Sequence, residues 1–249
     1  MKNVNSDIAY DFIRKRILGG EFPPGHDLKT KELSDEIGVS RTPVRDALRQ
    51  LEADGLVTIK AHLGASVATM DLKQYREMCG LRLALESHAA GLAAQNRTEA
   101  ELREIHFALE TMRKFTDQIA AAKDEQPLIG ELAREDVRFH IAIIAAAKND
   151  LMKKEILRLH LINRVVSSPA PAASSVTVEK AERDVRRRGV MASHEEIYKA
   201  IELGDVAAAE TAMERHIQDI VDYNVRLLER MQGSAGTRDL TEEELSYTT

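Results

Sequence analysis

The chain predicts a mainly α-helical protein: an N-terminal winged helix-turn-helix, three helices plus a β-hairpin, followed by an all-α helical bundle. Three observations predict it. Aromatic residues make up only 4% of the 249 residues, with no Trp, while Ala, Leu and Glu recur throughout, a mix that disfavours a large β-sandwich or barrel. Between Met1 and Met70, three short helical patterns end in two strand-like segments separated by a glycine turn. From Asp71 to Met231 the apolar period is helical everywhere.

Taken in order, Val4 to Leu18 reads as an amphipathic helix with Ile8, Phe12, Ile13 and Ile17 inward, stopped by Gly19-Gly20. Thr30 to Ile37 is a second helix with Leu33 and Ile37 inward, and Gly38 suits the left-handed residue that ends it. Ser40 is the expected cap of a third helix reaching Ala53, with Pro43 in its first turn and Val44, Ala47, Leu48 and Leu51 buried. Leu56 to Lys60 and Ser66 to Ala68 are the expected strands around a turn at Gly64. The bundle pattern then gives about six helices: 71–95, 98–123 with a capping box at Thr98 and Glu101, 129–147, 151–166, 178–203 and 206–231. Asp150 and Asp205 are expected caps, Ser167 to Ser175 a loop, and 232–249 a flexible tail. The expected domains are therefore 1–70, 71–231 and the tail 232–249.

Composition narrows the function classes. At 43% hydrophobic and 31% charged, the chain reads as globular, and no apolar run is long enough to cross a membrane or to form a signal core. Cys79 is the only cysteine, which rules out an intrachain disulfide and fits a reducing, cytoplasmic setting. The net charge of −6 argues against indiscriminate coating of nucleic acid. Residues 1–70 hold ten basic and ten acidic residues, so a DNA-reading module there must gather its cations on one face.

Arg41 and Arg45 do share a face at the start of the third helix, flanked by Ser40 and Thr42. In a helix-turn-helix these positions enter the major groove, where Arg forks onto guanine, while Lys31 at the start of the second helix is placed to touch phosphate. Either Arg alone could be an ordinary surface charge. The whole pattern of short helix, Gly, Ser cap, spaced Arg pair, Gly and hairpin is what speaks for DNA.

A second constellation lies in the bundle. Asp136 and His140 are one helical turn apart, and His194 and His216 lie on two later helices flanking the Gly204-Asp205 turn. Three imidazoles and a carboxylate suit Zn²⁺, Ni²⁺ or a similar ion with open positions. Each residue also reads as an ordinary hydrogen-bonded side chain of a bundle, and spacing alone leaves both readings open. His26, His62, His88, His106 and His160 take the ordinary reading.

Residues 22–28 (Phe22-Pro23-Pro24-Gly25 through Leu28), 33–48 (Leu33 through Ser40-Arg41-Thr42-Pro43-Val44-Arg45 to Leu48) and 51–57 closely resemble the GntR family of bacterial regulators. That resemblance implies base reading by Arg41 and Arg45, and contacts to the DNA backbone or groove floor by Lys31, Ser40, Thr42 and the wing residue Gly64. The wing departs from the family pattern, with His62-Leu63 where Arg is common. Residues 71–231 resemble the FCD effector domain of the FadR subfamily through Arg82-x-x-x-Glu86, Asp136-x-x-x-His140, Ser193-His194-Glu195-Glu196-Ile197 and Met213-x-x-His216-Ile217.

The resemblance implies a divalent metal held by Asp136, His140, His194 and His216, and a small organic acid whose carboxylate completes its sphere. Arg82 would pair with a second carboxylate, its alternative being a surface salt bridge with Glu86. It implies a homodimer on an inverted-repeat operator and repression relieved by the acid as the usual sign; no enzymatic activity is expected, since no additional acid or base is forced near the site and a DNA-reading domain is attached. A metal-dependent hydrolase-like enzyme and a purely structural metal are the competing readings. Arg186-Arg187-Arg188 reads as a solvated helix face.

Overall fold

The computed structural model describes residues 4–61, 63–166 and 179–234. Val4–Leu18 forms α1, whose buried stripe is Ala9, Ile13 and Ile17, spaced four apart on one face. Phe12 packs at its edge. Ile8, expected inward, is 48% exposed because that stripe runs through Ala9 instead.

Thr30–Ile37 forms α2 and ends on Gly38 at φ 76, whose N–H reaches the Ser34 carbonyl at 3.1 Å. The Ser34 hydroxyl donates to the Val39 carbonyl at 2.8 Å and locks the turn into Arg41–Ala53, which is α3. Ser40 holds the expected N-cap position, but its side chain makes no capping hydrogen bond. The expected stripe Val44, Ala47, Leu48 and Leu51 is buried.

Strands β1 (Val57–Lys60) and β2 (Gly64–Val67) pair antiparallel, with Val57 opposite Val67 and Lys60 opposite Gly64. The return strand begins two residues earlier than its apolar pattern suggested, because Gly64 at φ 98 turns the chain tightly enough to pair at once. The link before α2 lies along the hairpin edge: Leu28 N–H donates to the Ala65 carbonyl at 2.8 Å and Val67 N–H to His26 at 2.9 Å. His62 lies outside the described residues.

Six helices follow: α4 (Leu72–Asn96), α5 (Glu99–Ala121), α6 (Gln126–Ala146), α7 (Asp150–Val166), α8 (Lys180–Leu203) and α9 (Val206–Ser234). Capping boxes start α4, through Asp71 and Gln74, and α5, through Thr98 and Glu101. Asp205 caps α9 as expected, accepting from Ala208 N–H at 3.0 Å. Asp150 does not cap α7: Asn149 does, accepting from Met152 N–H at 3.0 Å, and Asp150 is the first helical residue. The expected loop 167–175 lies outside the described residues; of the expected tail 232–249, residues 232–234 instead continue α9 and the rest lies outside the described residues.

Helix α4 packs along α9, α5 along α6, and α8 against α9 and α5, around Leu109, Phe139, Ile143, Ile197 and Met213. The core of the winged unit is not closed on itself. Ile13, Leu51 and Leu56 join one apolar cluster with Met78 and Cys79 of α4 and with Leu159, Ile162 and Val165 of α7. The approach is tight at Gly55, whose φ is +80 and where an added Cβ would sit 2.7 Å from the Ile162 side chain. Among the described residues, no helix is long and apolar enough to cross a membrane.

Candidate metal centre and nucleic-acid interface

Helices α6, α8 and α9 bring His140, His194 and His216 together so that one ligand atom of each lies within 4.8 Å of the others. The ring centroids are 4.3 to 5.4 Å apart, and all three side chains are buried. The Phe139 ring backs the cluster, edge-on to His140 and His194. Asp136, one turn before His140, places its carboxylate 3.2 Å from His194 Nε2. The four residues expected as a set therefore meet at one place.

Hydrogen bonds orient two of the rings. His194 Nδ1 lies 2.8 Å from the Val190 carbonyl, which can only accept, so Nδ1 carries the proton and Nε2 a lone pair. The Ser193 hydroxyl donates its one hydrogen to that same carbonyl at 2.7 Å. It must therefore accept from His216 Nδ1, 2.8 Å away, which leaves His216 Nε2 with a lone pair as well. Both Nε2 atoms are buried without a hydrogen-bond partner among the described residues. Unpaired buried acceptors are costly, and several converging on one point fit a cation.

The electrostatics fit too. Burial pushes His140 down to about 4 and His216 down to about 2, so both imidazoles are neutral near pH 7, the form that ligates a metal. Burial would raise the Asp136 carboxyl, but the His194 ring 3.2 Å away and the His140 and His216 imidazoles beside it hold it well below the usual carboxylate range.

Behind the histidines sits a group that sequence reasoning undervalued. Glu86 is 1% exposed and accepts from Arg82 Nε at 2.9 Å. His160 Nε2 lies 2.9 Å from the same carboxylate, and His140 Nδ1 lies 3.6 Å from its other oxygen. Arg82 and Glu86 are thus paired, but as a buried bridge rather than a surface one, Arg82 being 8% exposed. Burial works against the Glu86 charge, yet His160, Arg82 and His140 hold its carboxyl down at about 2. His160, read from sequence as background, belongs to this network. Nothing in its local pattern marks it, since its partner is 74 residues away.

Part of this network lines a cavity of about 620 Å³. Asp136, His140, His216, Arg82 and His160 belong to its polar lining together with Arg134, Asn163 and Arg164, and Ala133, Val137, Leu161, Ile217, Ile220 and Val221 supply apolar walls. Arg186 and Arg187 are not a uniformly solvated face. Arg186 stacks over the Tyr223 ring, and Arg187 reaches Glu125 at 3.3 Å.

In the winged unit, Arg41, Thr42 and Arg45 are exposed on the first turns of α3, opposite the buried stripe. Ser40, Lys31 and the wing residue Gly64 are exposed as well, and Leu63 beside Gly64 is 81% exposed. The cations at the head of α3 thus share one solvent-facing surface, open to a groove.

A model of the FCD domain matches residues 77–219, and one described as bacterial regulatory proteins, gntR family, matches residues 5–67. The chain is 31% identical to the HTH-type transcriptional regulator LutR of Bacillus subtilis, over 83% of this chain and 94% of that protein. It is 28% identical to the HTH-type transcriptional repressor RspR of Escherichia coli, over 87% of each. The solved structure of E. coli McbR/YncC shares the fold, with a TM-score of 0.66 at 19% identity over 91% of this chain and 99% of that one.

Proposed function

Because the chain belongs to the GntR family of bacterial transcriptional regulators and carries its FCD domain, we propose that it is a repressor whose operator affinity is set by a small organic acid at a divalent-metal site. The observation that carries this reading is the convergence of buried, unpartnered imidazole nitrogens beside a cavity of about 620 Å³. His140, His194, His216 and Asp136 would hold the ion, zinc or nickel by donor set. When bound, such an ion supplies a cationic point that attracts a carboxylate.

The chain's own residues do the rest. Ser193 and Val190 fix the imidazole orientations, Arg82 presents its guanidinium to the same cavity, and the apolar walls exclude water around a bound acid. Arg41 and Arg45 read base edges of an operator, with Ser40, Thr42, Lys31 and Gly64 on backbone or groove floor. Two copies related by a two-fold axis place two such helices on an inverted repeat. RspR, named a repressor, supports that sign. In this reading the acid is sensed and released unchanged.

The acid changes operator affinity only by binding the two conformations unequally. The test is operator binding by the zinc-loaded full chain, on a duplex recovered by in vitro selection, with and without small carboxylates. Wild type loses operator affinity on adding the active acid, whereas His140→Ala keeps metal-free operator binding and loses the response. An unchanged response in His140→Ala overturns the metal-site reading.

A further inference from the structure

Helix α7 touches both ends of the molecule. His160, Leu161, Asn163 and Arg164 line the cavity of the metal centre. Arg164 also lines a separate crevice of about 190 Å³, formed by Ile17 to Gly20 and the Phe22-Pro23-Pro24 link of the winged unit. It is the one residue shared by these two cavities. Its Nε donates to the carbonyl of Leu18, the last residue of α1, at 3.2 Å.

That carbonyl is a particular acceptor. The last carbonyls of a helix have no partner within it. Here Lys15 O accepts from Gly19 N–H, Ile17 O from Gly20 N–H and Arg16 O from Phe22 N–H, at 2.8 to 3.2 Å. Leu18 O is left, and Arg164 takes it, a cation at the negative end of the helix dipole. The terminal nitrogens of Arg164 make no hydrogen bond or ion pair among the described residues, so most of its planar fork is open to an anion.

We infer that Arg164 reads a second anionic group on the acid and, in doing so, lets go of α1. The effector class is then a two-ended acid, one carboxylate at the metal and Arg82 pole, the other one helical turn along α7 from His160, about 6 Å by helix rise. Apolar walls such as Ile220 and Val221 suit a hydrocarbon span between the ends. Drawn into the cavity, the guanidinium gives up the Leu18 carbonyl. Helix α1 packs on α3, the helix bearing Arg41 and Arg45, so loosening its end bears on the DNA-reading face. This inference rests on the carboxylate-sensor reading above.

The experiment uses the zinc-loaded full chain with glutarate and adipate as probes, against the chain-matched monocarboxylates pentanoate and hexanoate. For wild type, each dicarboxylate raises the melting temperature at a concentration at least ~10-fold lower than its matched monocarboxylate, as expected for one added charge-assisted hydrogen-bonded pair. It also speeds hydrogen exchange at the amides of Gly19, Gly20 and Phe22. Arg164→Gln binds zinc unchanged in calorimetry, loses the two-ended preference, and exchanges fast at those amides before any acid is added.

A dicarboxylate preference that survives in Arg164→Gln, or is absent from wild type, overturns the second-anion assignment. A lost preference without faster exchange overturns the link to α1. If zinc binds but no carboxylate of either kind shifts wild type, the sensor reading itself fails and this inference falls with it.

Discussion

Ser193 shows how much one hydroxyl can decide. Its single hydrogen goes to the Val190 carbonyl, which obliges it to accept from His216 and so aims the His216 lone pair at the other imidazoles. Groups that orient a ligating histidine are worth ~10- to 100-fold in metal affinity, so Ser193→Ala should weaken zinc binding by about 10-fold. Titration calorimetry reads this directly, and an unchanged dissociation constant would remove Ser193 from the site.

The same residues set an acid sensitivity in the metal-free protein. The folded-state values of His140, about 4, and His216, about 2, lie below the ordinary 6.5, so the unfolded chain takes up protons first as pH falls. Stability is therefore lost as pH drops from 6.5 toward 4, with a slope of up to ~1.4 kcal/mol per pH unit for each histidine. Glu86, held down at about 2, adds a loss in the same direction below its ordinary 4.5. Urea midpoints at about pH 7.5 and about pH 5 measure the effect, and equal midpoints would refute it.

At the scale of elements, the contact between the winged unit and α7 hinges on Gly55. A side chain there meets two obstacles: a left-handed backbone costing ~1–2 kcal/mol for a non-glycine residue, and overpacking against Ile162 worth another ~1–3 kcal/mol. Gly55→Ala should lower the denaturant midpoint accordingly. Trimming Ile162→Val in the same chain should recover the packing part alone, whereas no recovery would mean that α7 does not press on this turn.

Helix starts are more local matters. Asp71→Ala removes half of a reciprocal capping box and should cost about 1 kcal/mol. The Thr98–Glu101 box was legible beforehand, because it depends on residues three apart, whereas the Asp71–Gln74 box came only with the structure. Asn149 was missed in favour of Asp150 because both are good cap residues, and only the backbone path distinguishes them.

For the whole molecule, a net charge of −6 means that operator binding depends on a local cationic face rather than on global attraction. Arg45→Ala should cost ~1–3 kcal/mol on the selected operator and relax specificity at one base position. Lys31→Ala should weaken binding on all sequences alike and lower the salt slope by about 1. Equal losses on specific and random duplexes for Arg45→Ala would move it from base reading to phosphate contact. The two ends of the molecule share one apolar cluster through Ile162 and Val165, so a shift of α7 in the bundle cannot leave the winged unit untouched.

Local interactions determined what was readable from the chain alone. Helical periods, glycine stops and the Thr98 capping box placed every element within a few residues, because each depends on neighbours one turn away. The exposed cations of α3 were equally legible, since the face opposite Val44, Ala47 and Leu48 must look outward. Asp136 and His140 could be paired for the same reason. That His194 and His216 join them was decided by tertiary structure, because it depends on how α6, α8 and α9 are rotated when their apolar faces pack. His160 and Arg164 carry no local mark at all. Their partners lie 74 to 146 residues away, and only the docking of α7 between α4 and the end of α1 brings them into reach.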